Sequence, residues 1–241
     1  MAALLRADAI VLLRNTVATV AGIFLPVMLI IASTFGKAQA RLGGTEVIIG
    51  LALTLGLVTS CILGYSLAIA HDRDAGVLQR LRVTPAPTWM IMTSRLLIQV
   101  VASLASSVIV ITLAVILHGL TLNAGQYALV LAVAILGAAM FLALGQALVG
   151  LVKSTSAVNA IGRLLFVVLV LLGILGATGI LGDTMQSISA FSPVGALMSL
   201  FTDVLTSAAW AGQDLVSLLA CAGYIIVFAF IGIRFFRWES R

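Results

Sequence analysis

Charge is what this 241-residue sequence has least of. Asp, Glu, Lys and Arg together make up 9% of it, against ~25% in soluble domains. So few charges cannot coat a water-facing surface, so lipid must replace water around most of the chain. Cysteine and histidine number two each. Cys61 and Cys221 sit inside apolar runs, with no paired spacing and no histidine nearby. A disulfide framework and a Cys/His metal site are thereby excluded, and both read as small packing residues. The apolar runs themselves carry almost no carboxylates. That argues against an ion-gradient carrier, which places such groups within its spans.

Catalytic signatures are missing too. There is no Gly-x-Ser-x-Gly elbow and no His-Glu-x-x-His helix. Gly145, Gly150, Lys153 and Ser154 approximate a phosphate-binding loop, but two residues separate Gly150 from Lys153. That gap throws the lysine out of register with the backbone cradle. The segment reads instead as a helix end with a snorkelling lysine. Asp72 and Asp74 are candidate Mg²⁺ ligands, but Arg73 stands between them and no further ordered acids lie near. The chain is therefore read as no enzyme, with no cofactor of its own.

What is present is hydrophobicity, at 62% of residues. The natural unit is the membrane span of ~20 apolar residues. Six are predicted, at about 16–35, 47–70, 90–117, 127–152, 161–181 and 215–233. They make one all-α, polytopic domain over 1–241 with no room for a soluble domain. Before them, Leu5, Ala9, Leu12 and Leu13 share a helical face from which Arg6 and Arg14 are displaced. That pattern predicts an interfacial helix. Ala38-Gln39-Ala40 imitates a signal-peptidase site, but the preceding run is long enough for a full span and is read as retained. The segment 182–213 is too broken to span and too apolar for an ordinary loop, which predicts short re-entrant helices around Ser192-Pro193. A seventh span there is the alternative.

The formal net charge is +5, and its placement favours a bilayer over nucleic acid as the partner. Of the 13 Lys and Arg residues, only Lys37 and Arg41 fall on one side of the predicted topology. Arg6, Arg14, Arg73, Arg80, Arg82, Arg95, Lys153, Arg163, Arg234, Arg237 and Arg241 fall on the other. The positive-inside rule makes that second side cytoplasmic, with both termini on it. Composition rich in Ala, Gly, Leu and Val points to a GC-rich bacterium, and the chain is expected in its cell membrane.

One connection is more than a turn. From His71 to Pro85 the sequence reads as a short helix with Asp72 and Asp74 at its start and Arg80 and Arg82 at its end, an order that complements the helix dipole. Val77, Leu78 and Leu81 supply an apolar face, and Pro85 and Pro87 stop it. A two-faced helix of this kind suits docking into a groove on a partner. In span three, Gln99, Ser103 and Ser106 or Ser107 share a face, where they line a path or hold helices together, with the second favoured. Ala139, Ala143 and Ala147, and Gly173 with Ala177, read as packing seams.

The 72–85 stretch resembles the cytoplasmic loop of type 2 ABC transporter permeases. Gly76, the hydrophobic pair Val77-Leu78, Arg80-Leu81-Arg82 and Thr84-Pro85 match that family's pattern, after the charged Asp72, Arg73 and Asp74. The resemblance implies the family plan: an interfacial helix, six spans, a coupling helix between spans two and three, and broken helices between spans five and six. It also implies two copies of a separate ATP-binding subunit that holds ATP and Mg²⁺, and a second permease copy in a homodimer. Val77, Leu78 and Leu81 would pack on the ATPase, with Asp72, Arg73, Arg80 and Arg82 as the polar rim. The loop is most similar to members that export drugs and antibiotics, and an amphipathic or hydrophobic cargo is expected. The alternatives are lipid or glycan export, or a membrane scaffold without transport.

Overall fold

The computed structural model describes residues 2–14, 16–35, 43–82, 87–178, 182–207 and 212–235. It is all-helical, at 91% helix with no strands among the described residues. The described residues form, in order, α1 Ala2–Arg14, α2 Thr16–Thr34, α3 Thr45–Asp74, α4 Val77–Arg82, α5 Thr88–His118, α6 Ala124–Leu151, α7 Thr155–Thr178, α8 Asp183–Phe191, α9 Pro193–Thr206 and α10 Gly212–Phe235. Among the described residues five are long and apolar enough to cross a membrane: α3, α5, α6, α7 and α10. The apolar α2 carries Pro26 within it. The polar connection expected at 153–163 shrinks to a turn, and the helix expected from 161 begins at Thr155. Ser154 Oγ accepts the Ala157 backbone N–H at 3.2 Å, which caps α7 early. The tripeptide 38–40 lies outside the described residues.

Contacts at the helix ends fix their directions. Ser33 near the end of α2 meets His118 at the end of α5, Oγ to Nε2 at 3.1 Å. Arg73 near the end of α3 reaches the end of α6. Each contact joins two C-terminal ends, so α2 runs parallel to α5 and α3 parallel to α6. One end of the bundle gathers α1, the end of α3, α4 and the start of α5. The opposite end gathers α8 and α9.

The helix α3 is the central one. In its most apolar stretch 72% of residues are buried, against 17% in α7 and α10. The outward faces of those two helices, such as Leu164 and Val168 or Leu219, Ile226 and Phe230, remain apolar and exposed, as lipid contact requires. Between helices in lipid the hydrophobic effect does little, so association depends on close packing and hydrogen bonds. The sequence supplies both. A Cβ on Gly145 would lie 2.8 Å from the Cys61 carbonyl oxygen and equally close to Ser66 Oγ. One on Gly173 would lie 2.6 Å from Val194 Cγ1. Gly145 on α6 and Gly173, from the small-residue seam on α7, are therefore packing positions.

A π-helical stretch, Thr59–Tyr65, interrupts α3 where α6 approaches it. Such wide turns recur at functional sites. Here Ser66 Oγ donates to the Gly145 carbonyl at 3.3 Å and the Tyr65 hydroxyl donates to Gln146 Oε1 at 2.7 Å.

The helices α8 and α9 form a hairpin whose turn lies well inside the bundle. Ser189 Oγ donates to the Leu172 carbonyl of α7 at 2.7 Å, and the Tyr224 hydroxyl of α10 donates to the Phe191 carbonyl at 2.7 Å. Ser192 caps α9 by accepting the Gly195 N–H at 3.0 Å, and Pro193 occupies the first helical position. At the other end, Gln126 Nε2 donates to the Val204 carbonyl at 3.2 Å and to Ser207 Oγ at 2.9 Å. Those bonds pin the end of α9 to the start of α6.

Candidate functional site at the α3–α4 corner

The charged connection differs from its sequence expectation in two respects. A single helix beginning at Asp72 was expected; instead α3 continues through Asp74 and a turn at Ala75-Gly76 separates it from α4, Val77–Arg82. Gly76 has φ +69°, a left-handed conformation that glycine adopts without strain. The acids therefore do not cap the start of the new helix. They sit at the end of the old one, where the dipole disfavours them, and neighbouring groups hold them. Arg95 Nη1 donates to Asp72 Oδ2, and Thr155 Oγ1 donates to Asp74 Oδ2 at 2.5 Å.

Arg73 is the second departure. The expectation placed it on an exposed polar rim with Asp72, Arg80 and Arg82. It is 2% exposed. Its guanidinium donates to the carbonyls of Val149 at 2.9 Å, Val152 at 3.0 Å and Lys153 at 2.7 Å. Those are carbonyls that the end of α6 leaves without intrahelical partners. One cation there satisfies three acceptors and complements the dipole. Arg73 is thus a clamp between α3 and the α6–α7 turn, buried within this chain. Sequence alone did not single out this role, because nothing in 71–85 reveals which residue faces the end of α6.

Arg80 is exposed and Val77 half-buried. Thr84 and Pro85 lie outside the described residues, as do the side chains of Leu78, Leu81 and Arg82.

A second network joins three helices. Asp8 of α1 accepts from Ser94 Oγ at 2.5 Å and lies 3.9 Å from Arg95 Nε, while Arg95 also holds Asp72. The apolar face expected of the N-terminal helix is half-buried at Leu5, Ala9 and Leu12, with Arg6 exposed. Asp8 is a contact in this corner that sequence reading missed.

Below this network the face of α5 meets the π-helical turn. Gln99 Nε2 donates to Ser60 Oγ at 2.7 Å and to the Ser60 carbonyl at 3.3 Å. Ser103 Oγ lies 3.4 Å from Ser60 Oγ and 3.5 Å from Cys61 Sγ. Ser107 donates back to the Ser103 carbonyl at 3.0 Å. Ser106, its neighbour, donates to the Gly22 carbonyl of α2 at 3.3 Å. These bonds tie helices together. Gln99 and Ser106 additionally line a cleft between α1, α2, α3 and α5, whereas Ser103 and Ser107 do not. No cluster of three or more potential metal ligands occurs among the described residues.

The chain matches the family model described as ABC-2 type transporter over residues 1–206, from α1 to the end of α9. No curated protein matches it.

Proposed function

The chain belongs to the ABC-2 type transporter family, and from that membership we propose that it is the permease half of an ATP-driven exporter in a bacterial cell membrane. Membership makes it a transmembrane permease subunit, in a family whose members associate with an ATP-binding subunit and are not themselves the ATPase. The finer reading has six spans, α2 included, with both termini cytoplasmic. In it α1 lies in the interface, and α8 and α9 form a re-entrant hairpin on the outer side. Two such chains and two ATPase subunits make the working assembly, and the cargo is amphipathic or hydrophobic, of the drug or antibiotic kind.

The observation that supports this reading best is the construction of the corner. A six-residue helix with a charged face, α4, hangs between two long helices, and the residues beside it are bolted to three different elements. Arg73 bonds the end of α6, Asp74 bonds the start of α7, and Asp72 bonds Arg95 of α5. A passive loop has no use for such bolting. In the proposed cycle the ATPase presses on α4 through Val77, Leu78, Leu81 and the Arg80 and Arg82 rim. The bolts then pass the displacement to α3, α5, α6 and α7 together, towards the outer hairpin.

Copurification with an ATP-binding subunit tests the reading. Leu81→Asp and Arg80→Glu are expected to weaken recovery of the ATPase and stop ATP-dependent export. Full recovery and full export in both variants would reject the coupling role of α4. Export that persists without ATP and stops with an uncoupler would reject the ATP-driven class.

A further inference from the structure

The cleft of about 90 Å³ beside the corner has a graded lining. Asp8, Asp72 and Arg95 stand at one end, and Ile23, Ile69, Ile98 and Ala102 form the apolar walls. On α5 the lining residues run from Arg95 to Ser106, eleven residues or about 16 Å of helix. Such a length with so small a volume describes a slot, fit for one extended chain and too narrow for fused rings. Its polar end is not neutral. Two carboxylates face one guanidinium, which leaves one negative charge in excess. Arg95 Nε is buried there with no hydrogen-bond acceptor, although 3.9 Å from Asp8 Oδ1.

We infer that this slot binds an amphiphile through an ammonium group set beside an oxygen atom, with a single narrow apolar stem lying along α5. The ammonium neutralises the spare carboxylate charge, and a charge-assisted bond in a half-buried site is among the strong ones. The adjacent oxygen accepts from the Arg95 guanidinium. The stem replaces lipid contact with the walls provided by α2, the π-helical turn of α3 and α5. Because the slot joins α1 to α3 and α5, an occupant ties the N-terminal helix to the corner. Two sources carry this chemistry: a phosphoethanolamine lipid of the bilayer, or a long-chain amino compound in transit.

Binding is measured on the full chain in phosphatidylcholine nanodiscs without any ATPase, so failure here leaves the proposed function untouched. Radiolabelled N-dodecylethanolamine is expected to bind saturably above empty nanodiscs. Dodecanol and dodecyl sulfate in hundredfold excess are expected not to displace it. Asp8→Asn removes the spare charge and Ala102→Phe fills the slot without touching the charges, and each is expected to weaken binding at least tenfold. Loss of probe binding when phosphatidylethanolamine is added to the nanodiscs supports a resident lipid as occupant. Retained binding supports a transported amine. No saturable binding, equal affinity in Ala102→Phe, or displacement by dodecyl sulfate would overturn the inference.

Discussion

Replacing Arg73 by Met keeps a long apolar stem and deletes the three bonds to Val149, Val152 and Lys153. A hydrogen bond to a charged group contributes ~1.5–3 kcal/mol. The three do not add in full, because Arg73 regains hydration on unfolding and two of the bonds lie at the edge of the buried region. A net loss of about 2–4 kcal/mol is expected, somewhat below the ~3–5 kcal/mol that breaking a fully buried charge pair costs. In a chain of this size each kcal/mol moves Tm by ~2–4 °C, so Arg73→Met should melt roughly 5–15 °C lower. Arg73→Lys should lose about half of that, since one ammonium cannot span three carbonyls. Thermal melting of the detergent-solubilised chain by size-exclusion chromatography reads the effect. A clamp that transmits motion without touching the ATPase makes a second demand. In membranes at growth temperature, Arg73→Met should still recover the ATPase while export falls. Unchanged melting together with unchanged export would refute the clamp. Loss of ATPase binding at normal stability would instead place Arg73 on the contact surface.

Other outcomes follow from the same geometry. Gly145→Ala drives a Cβ to 2.8 Å from the Cys61 carbonyl and should destabilise the chain by ~1–3 kcal/mol, while Gly223→Ala, which meets nothing within 4 Å, should melt as the wild type does. Gly76→Val forces a β-branched residue into a left-handed turn at a cost of ~1–2 kcal/mol; it should reduce ATPase recovery more than Gly76→Asn, because asparagine tolerates that conformation. Asp203 of α9 has its carboxyl pushed up to about 6, first by burial and then by the hydrogen bond and charge of Asp214. A raised acid favours the folded state while protonated, so that stability is whole below about 3.8 and lost as pH rises through about 6. Melting should therefore fall between about pH 4 and pH 6 in the wild type, and Asp203→Asn should flatten the profile.

Five of the span positions were legible because a span announces itself by length and apolarity alone. The turn at Ser192-Pro193 was legible because a capping serine followed by proline marks a helix start locally. The break at Gly76 was not, since a glycine between charged residues fits both a helix end and a flexible point within one helix. Arg73 shows the deeper reason for the misses. Its neighbours Asp72 and Asp74 and its own charge all read as solvent-facing, and only the arrival of α6, about 76 residues later, supplies acceptors that draw it inward. Asp8 escaped for the same cause, since its partners Ser94 and Arg95 lie 86 and 87 positions away. Charge-carrying contacts between distant helices leave no periodic trace, whereas the Gln99 and Ser106 face of α5 did leave one.

The central claim is that α4 takes its motion from an ATP-binding partner, and cross-linking tests it most directly. Cys61 and Cys221 are both buried, so Arg80→Cys introduces a single reactive thiol on the exposed face of α4. In native membranes that thiol should cross-link to the ATPase with a short bifunctional reagent, and the yield should change when ATP is trapped unhydrolysed. A thiol that reacts only with reagents added from outside the cell, or that never captures the ATPase while transport continues, would contradict the account.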